Sequence, residues 1–274
     1  MKAKRRKTSE SVAIRNKELL LLIESIKCDH PFWGYRRVWA TIKFKHDIKV
    51  NHKRIYRLMR LHGLTIAKDE RVKAKRTQRP KPVPKRPNQI WGIDMTKIAT
   101  GKGYAYLVIV LDWHTKRIVG YHIGERSLSC DWLHALDSGL NAMFPRGARE
   151  VGLRLVSDNG CQPTSKSFMQ SCHTLGILQI FTSYSNPKGN ADTERMMRTI
   201  KEELVWTNEW DNQEEFGKAF SAWVETYNDG YLHSSLGYLS PRTFELQEME
   251  RISGMLQTET AEYIKPNKLS VASL

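Results

Sequence analysis

The first third of the chain repeats apolar positions at helical spacing, with basic residues between them. An apolar-periodic segment within residues 1–27 predicts a first, basic N-terminal helix. Residues 28–66 predict two short helices, because Asn51 suits a helix N-cap and Gly63 suits the position just after a helix end. Two short helices of which the second is basic predict a helix-turn-helix module for a DNA groove. The alternative is a basic helical hairpin that only packs.

Residues 67–88 interrupt this pattern with few apolar side chains and four prolines among lysines and arginines. A segment of this composition cannot build a core, and its prolines favour extended backbone. The sequence therefore predicts a basic, semi-rigid linker that marks a domain boundary.

From residue 89 onward, short apolar runs alternate with helical periodicity. The first three runs are separated by short turns and predict an antiparallel meander. The later order of strands and helices predicts an α/β fold, a mixed five-stranded sheet with helices on both faces, over residues 89–230. Residues 231–274 form a C-terminal segment. The predicted strands are 89–98, 104–113, 117–123, 152–156 and 178–181, and the predicted helices are 129–143, 165–175, 191–205 and 213–227.

The charge of the chain is concentrated in its first third. The 274 residues carry a formal net charge of +15. Residues 1–90 hold 26 Lys and Arg against 7 Asp and Glu, whereas residues 91–274 hold 18 against 22. So dense a positive charge would repel itself without a polyanion, and the sequence therefore predicts that DNA or RNA is a partner.

Cysteine usage and hydropathy indicate the cellular compartment of the protein. The four cysteines form no C-x-x-C pair, which argues for a reducing compartment and against a disulfide framework or a Cys₄ zinc site. No apolar run reaches membrane-spanning length, and the basic N-terminus is not followed by a signal-peptide core. We expect a soluble, intracellular protein without a membrane partner.

Three acidic residues carry the candidate chemistry. Asp94 and Asp158 each sit at the end of a predicted strand. Glu194 lies one turn into a predicted helix and is separated from Asp158 by 35 residues. Each alone also suits a structural role, as a turn residue, an Asx-turn or an exposed helical glutamate. Together, carboxylates from two strand ends and one helix predict a hard-oxygen site for two Mg²⁺ ions and phosphodiester chemistry. Polar neighbours that would support these acids are Thr96, Ser157 and Asn159.

The helix that contains Glu194 has two distinct faces at 100° per residue. One face is an apolar stripe of Met196, Met197, Ile200 and Leu204. Glu194 shares another face with Arg198 and Lys201, and Lys201 is either a DNA contact or a solvated charge. Lys188 lies in the loop before this helix, where DNA would enter. The remaining candidate DNA contacts lie in the helix-turn-helix module: Arg36, Arg37, Lys53, Arg54 and Arg57.

An ordered set of motifs over nearly the whole chain resembles one known family, the DDE transposases of bacterial insertion sequences. More narrowly, the chain resembles the second-frame product of elements that encode their transposase in two overlapping frames, with a ribonuclease H-like, retroviral-integrase-type core. The matching residues are His30-Pro31-x-x-Gly34-Tyr35-Arg36-Arg37, Trp91-x-x-Asp94-x-Thr96, Leu111-Asp112 with Arg117-Ile118-Val119-Gly120, Ser157-Asp158-Asn159-Gly160, Gly189-Asn190-Ala191 with Glu194, Tyr227-Asn228, and His233-Ser234-Ser235-Leu236-Gly237-Tyr238 with Pro241.

This resemblance implies a transposase that cleaves DNA and transfers strands. It assigns Asp94, Asp158 and Glu194 as ligands of two Mg²⁺ ions, for which Mn²⁺ would substitute, and Lys201 as a DNA contact. The implied partners are DNA at the element ends and target, the first-frame product of the same element, and further copies of the chain on DNA. The implied location is the bacterial cytoplasm, at the nucleoid.

Two departures from the family pattern and two rival functions accompany this interpretation. Cys161 stands where the family usually has serine, and Asp192 is a second carboxylate close to Glu194. A ribonuclease H-type nuclease would need a fourth acid, for which Asp131 and Asp137 are candidates. A DNA-binding repressor on an inactive core is the other alternative, and the complete acid set argues against it.

Overall fold

The computed structural model describes residues 10–66, 82–182 and 189–263 of the chain. The chain divides into two compact units, one of Met1–Arg79 with Arg198–Glu209 and one of Pro80–Met197 with Trp210–Leu274. Most of the predicted linker, and also Lys188, lie outside the described residues. Within the described ranges, no helix is both long enough and apolar enough to cross a membrane.

The first unit contains three helices that share a small apolar core. They are α1 (Glu10–Asp29), α2 (Tyr35–Phe44) and α3 (His52–Leu61). The end signals of α3 are confirmed, since the Asn51 side chain accepts a hydrogen bond from the backbone N–H of Lys53 at 2.8 Å and Gly63 has a φ of +69°. Ile23, Val38 and Ile55 are fully buried. The two short predicted helices are thus confirmed, and a third helix packs against both.

The first unit also includes Arg198–Glu209, which begins in the last turn of α6 (Ala191–Ile200). The prediction of one continuous α-helix over 191–205 is wrong, because Lys201–Val205 forms wider π-helical turns. Within this segment Glu203 is buried, with 6% of its side chain exposed. Its carboxylate accepts a hydrogen bond from Trp33 Nε1 at 2.8 Å and pairs with Arg37 at 3.3 Å. These contacts fix the segment to the three-helix module.

The second unit is built on a five-stranded mixed sheet in the order β3-β2-β1-β4-β5. The strands β1, β2 and β3 form the predicted antiparallel meander, whereas β4 runs parallel to both β1 and β5. The strand bounds are β1 Ile90–Thr100, β2 Gly103–Asp112, β3 Ile118–Gly124, β4 Arg154–Ser157 and β5 Leu178–Phe181. The mixed α/β sheet predicted from the sequence is confirmed.

Helices cover both faces of this sheet. On one face, α4 (Ser129–Met143) and α5 (Lys166–Thr174) bury a core that includes Trp91 and Ile93 of β1. On the other face, Thr193 of α6 lies over Gly92, and Phe220 of α7 (Gln213–Gly230) packs edge-on against Tyr121 of β3. The first four residues of β1 are all buried, because neighbouring side chains of a strand point to opposite faces and helices cover both.

The C-terminal segment contributes a helix that the sequence did not predict. This helix, α8 (Pro241–Tyr263), contains Glu245, which is 3% exposed and forms an ion pair with Arg117 at the start of β3. Burial raises the pKa of Glu245, and the guanidinium of Arg117 opposes that shift. Asn228 of α7 bonds both backbone groups of Ile118 at 3.1 Å. The edge strand β3 is therefore held at its first residues by two helices from the end of the chain.

Candidate active site

Asp94 lies in the middle of β1, not at its end as the sequence analysis predicted. The strand continues to Thr100 because each of its residues from Trp91 onward pairs with β2. The Asp94 carboxylate accepts a hydrogen bond from the backbone N–H of Met95 at 2.8 Å. Since side chains alternate along a strand, Asp94 shares a face with Gly92, opposite to the face that buries Ile93. The acid thus lies on the face that α6 covers.

Asp158 directly follows β4, as predicted, and the sheet register places it beside Asp94. Gly92 of β1 pairs with Val156 of β4 in parallel register. Asp94 and Asp158 are each two residues beyond that pair, so they continue the same register on the same face, and neighbouring strands are about 4.8 Å apart. Asp158 is exposed, and its Oδ1 accepts a hydrogen bond from the N–H of Gly160 at 3.1 Å.

Glu194 is brought to this face by an unusually close approach of α6 to β1. The adjacent Thr193 is fully buried, and its hydroxyl accepts a hydrogen bond from Trp113 Nε1 at 3.0 Å. A Cβ atom on Gly92 would lie 2.0 Å from Thr193 Oγ1 and 2.3 Å from Trp113 Nε1. Only glycine leaves room for this contact. The first turn of α6 therefore rests on β1 two residues before Asp94, and the three acids gather in one region.

The turn between β2 and β3 also holds the first turn of α6. Lys116 Nζ lies 3.2 Å from Asp192 Oδ2 and donates a hydrogen bond to the carbonyl of Trp113 at 2.6 Å. Asp192, the second carboxylate near Glu194, is thus engaged in an ion pair within the fold. Lys116 has a φ of +62°, a backbone conformation that non-glycine residues adopt only when their surroundings hold them there.

The polar neighbours expected to support the acids bond elsewhere. The Ser157 hydroxyl donates to the backbone carbonyl of Asp158 at 3.0 Å, and the Asn159 amide donates to the carbonyl of Thr182 at 2.6 Å. Thr96 is buried in β1. The carboxylates of Asp94 and Asp158 are oriented instead by backbone N–H groups, a support that residue types do not reveal.

The three carboxylates offer only oxygen donors, the ligands that Mg²⁺ and Mn²⁺ prefer. Their oxygens do not form a group within 4.8 Å of one another among the described residues. Partial burial raises the pKa of Glu194. The donor set fits a hard divalent cation.

The candidate DNA contacts of the three-helix module divide into two groups. Arg36, Lys53 and Arg57 are exposed. Arg37 instead pairs with Glu203, and Arg54 donates two hydrogen bonds to Asn16 Oδ1, at 2.9 and 2.7 Å.

The two candidates that follow Glu194 belong to the first unit. Arg198 is exposed and pairs with Glu202 at 2.6 Å, one turn further along the chain. Lys201 is half-buried at the start of the π-helical turns.

The acids that a ribonuclease H-type nuclease would need are on α4, which packs against the opposite face of the sheet. Asp131 caps the helix by accepting a hydrogen bond from the N–H of Leu128 at 2.7 Å. Asp137 accepts a hydrogen bond from the Asn141 amide at 3.1 Å. The nuclease alternative is therefore not favoured.

The residues that position α6 are not evident from the sequence pattern. Gly92, Trp113 and Lys116 fall within predicted strands and turns. A signal was available for Gly92, because a glycine inside a strand pattern often marks a close approach of another backbone. Trp113 and Lys116 gave no comparable signal, since their contacts with Thr193 and Asp192 span about eighty residues of sequence.

Family models match most of the chain in the order of the structural elements. A model described as an HTH-like domain matches residues 14–71. Two models described as integrase core domains match residues 84–187 and 175–241. The matches therefore cover most of the three-helix module, the whole sheet and the helices α4 to α7.

Curated relatives are transposases of insertion sequences. The chain is 32% identical to the transposase for insertion sequence element IS904 of Lactococcus lactis subsp. lactis, over 82% of this chain and 93% of that protein. It is 28% identical to the transposase for IS629 of Shigella sonnei, over 79% and 75%. A solved HTLV-2 integrase catalytic core domain in complex with magnesium has a TM-score of 0.46 at 17% identity, over 59% of this chain and 98% of that one. On the strength of the sequence relatives, the chain belongs to the transposases of insertion sequence elements.

Proposed function

We propose that Asp94, Asp158 and Glu194 bind two Mg²⁺ ions, with Mn²⁺ as a substitute, and that this site cleaves and transfers DNA strands for the movement of an insertion sequence. One observation carries the proposal: Gly92 pairs with Val156 in β4 and also lies under Thr193 of α6. This single position joins the three elements on which the acids lie.

Some residues of the site act as metal ligands, and others hold those ligands in position. Bound ions would activate the attacking hydroxyl and neutralise charge on the phosphate during in-line displacement. The N–H groups of Met95 and Gly160 hold the carboxylates of Asp94 and Asp158. Lys116 pairs with Asp192 and so keeps this second carboxylate from competing with Glu194 for metal. The protein's main contribution is to hold these groups in place before DNA binds.

The three-helix module supplies a basic surface for DNA. Arg36, Lys53 and Arg57 are exposed on α2 and α3, which suits contact with phosphates or base edges. Arg198, Lys201 and Lys188 are further candidates for DNA contacts, and they lie close to Glu194 in the sequence. Arg37 and Arg54 make internal contacts, so we assign them to the stability of the module before any role at DNA.

The partners follow from the family. We propose that the chain acts at the nucleoid in the bacterial cytoplasm, assembles with further copies on DNA, and works with a first-frame product that recognises the element ends. Phosphate contacts from the basic surface position a protein on DNA but carry little sequence information, which leaves a role for such a partner.

Single substitutions of the acids test the site. Asp94→Asn, Asp158→Asn and Glu194→Gln should each abolish strand cleavage and strand transfer, because loss of one ligand removes charge stabilisation worth several kcal/mol. The measurement is a joined-product assay on labelled end duplexes, with DNA retention and thermal unfolding followed in parallel. Both of these should remain close to those of the unmodified chain.

Asp192→Asn is the matched control, since this carboxylate is two residues before Glu194 on the same helix and pairs with Lys116. It should retain most of the activity. Loss of activity in Asp192→Asn together with an active Glu194→Gln would overturn the ligand assignment. If the unmodified chain cleaved DNA without joining it, a nuclease would be favoured. If it did neither, a DNA-binding repressor would be favoured.

A further inference from the structure

Two histidines and an aspartate meet at the edge of the sheet, on the face that α4 covers. They are His122 of β3 and Asp131 and His134 of α4. Their ligand atoms lie within 4.8 Å of one another, which holds for no other trio of His, Cys, Asp or Glu among the described residues. His122 Nε2 lies 3.5 Å from Asp131 Oδ1, and the ring centroids of the two histidines are 5.0 Å apart.

The fold fixes these three side chains independently of one another. His122 pairs with Val108 of β2, and Val108 belongs to the core under α4, so the histidine points to the same face. Asp131 occupies the first turn of α4, and His134 follows three residues later on the same side of the helix. No flexible loop carries a member of the trio.

The two oxygens of the Asp131 carboxylate make different contacts. Its Oδ2 accepts the N–H of Leu128 at 2.7 Å and caps α4. This bond orients the carboxylate and leaves Oδ1 directed at His122, in the manner of a monodentate ligand whose second oxygen is hydrogen-bonded.

The donor set differs in kind from that of the three acids. Two imidazoles and one carboxylate suit zinc and other borderline divalent ions, whereas an all-oxygen set suits Mg²⁺. His134 is exposed, so water can complete the coordination from the open side.

We propose that His122, Asp131 and His134 form a zinc-type transition-metal site, separate from the carboxylate site and on the opposite face of the sheet. A metal there links the edge strand β3 to the first turn of α4. These two elements are otherwise joined by core packing and by close backbone contact, as a Cβ on Gly120 would lie 2.4 Å from the backbone of Gly139. The site therefore stabilises the core instead of taking part in strand transfer.

Zinc titration of the full chain tests the proposal. The chain is freed of metal with a chelator, dialysed into saturating Mg²⁺ to occupy the oxygen-only site, and titrated with Zn²⁺ by calorimetry. One equivalent should bind and should raise the unfolding temperature, because a ligand of the native state stabilises it. His134→Ala should weaken binding by at least about tenfold and abolish the thermal shift. Asp131→Asn should weaken zinc binding while its amide oxygen still caps α4.

Two variants separate this site from other zinc ligands. His173→Ala removes an exposed histidine of α5 outside the trio and should bind zinc like the unmodified chain. Asp94→Asn should also retain zinc, because the carboxylate site is on the other face. Without zinc, His134→Ala should unfold at the temperature of the unmodified chain, since its side chain is exposed. Absence of saturable zinc binding, or equal binding by His134→Ala and the unmodified chain, would overturn the proposal and leave a simple His–Asp ion pair.

Discussion

Gly92→Ala is the substitution that most directly probes how the acids are brought together. The added Cβ would lie 2.0 Å from Thr193 Oγ1 and 2.3 Å from Trp113 Nε1, where ordinary contact begins at 3.4 Å. The backbone of β1 cannot retreat, because Gly92 pairs with Leu111 on one side and Val156 on the other. The threonine hydroxyl can rotate only by giving up its bond to the indole, and the buried indole ring cannot rotate away. The first turn of α6 must therefore move outward by more than about 1 Å to restore ordinary contact.

The expected effects are of two sizes. Overpacking costs about 1–3 kcal/mol of unfolding free energy, and loss of the buried Trp113–Thr193 hydrogen bond adds about 1 kcal/mol. A displacement of Glu194 by about 1 Å lowers the rate of strand transfer by about a hundredfold, because misplaced catalytic groups lose the advantage of orientation. Gly92→Ala should thus lose activity under conditions in which most of the protein remains folded.

Denaturant unfolding and a strand-transfer assay on the same preparation separate the two effects. Gly217→Ala is the matched control, since a Cβ there meets only Ile123 Cδ1 at 3.9 Å and alanine favours helix α7. The control should keep full activity and equal or greater stability. If Gly92→Ala matched the unmodified chain in both stability and rate, the close approach of α6 to β1 would not be what positions Glu194.

Chelation should abolish strand cleavage and joining, and Mg²⁺ or Mn²⁺ should restore both. The larger Ca²⁺ should bind without restoring either reaction. Activity in excess chelator would rule out the carboxylate site. In salt titrations on duplex DNA, Arg57→Gln should reduce the steepness of log K against log[salt] by about 0.9, the share of one phosphate contact. Lys218→Gln, which removes an exposed charge of α7, should leave that slope unchanged, and equal slopes for both variants would exclude α3 from the DNA interface. Arg54→Gln should instead lower the unfolding free energy by about 1 kcal/mol in denaturant titrations, because it loses the paired hydrogen bonds to Asn16; unchanged stability would contradict that role.

Local pattern was sufficient for most elements of the fold. The bounds of α4 and β5 agree with prediction to the residue, and the other strands and helices of the core agree within a few residues at each end, except that α6 ends at Ile200 and not at residue 205. Apolar periodicity reports which positions are buried, and caps such as Asn51 act on their own helix, so neither depends on distant partners. For the same reason the positions of Asp158 after β4 and Glu194 in the first turn of α6 were predictable.

Non-local partners decided the features that the sequence missed. The length of β1 depends on its pairing with β2, which is why Asp94 lies within the strand and not at its end. The helix α8 shows little separation of polar and apolar faces, and its buried Glu245 is stabilised by Arg117, 128 residues away. The charge distribution suggests isolating the core by deleting the residues before 89. Such a deletion would remove Trp33 and Arg37, which both bond the carboxylate of Glu203.

The sequence by itself determined the family and the order of the elements and indicated three candidate acids, because residue types, spacing and periodicity record these features. The tertiary structure alone decided how the acids meet, through the register of β1 with β4 and the contact of Thr193 with Gly92. It alone brought His122 next to Asp131 and His134, which lie in two different elements. Register and close contact are set by the packing of elements that are distant in sequence. A pattern along the sequence does not record which of these elements will touch or how closely.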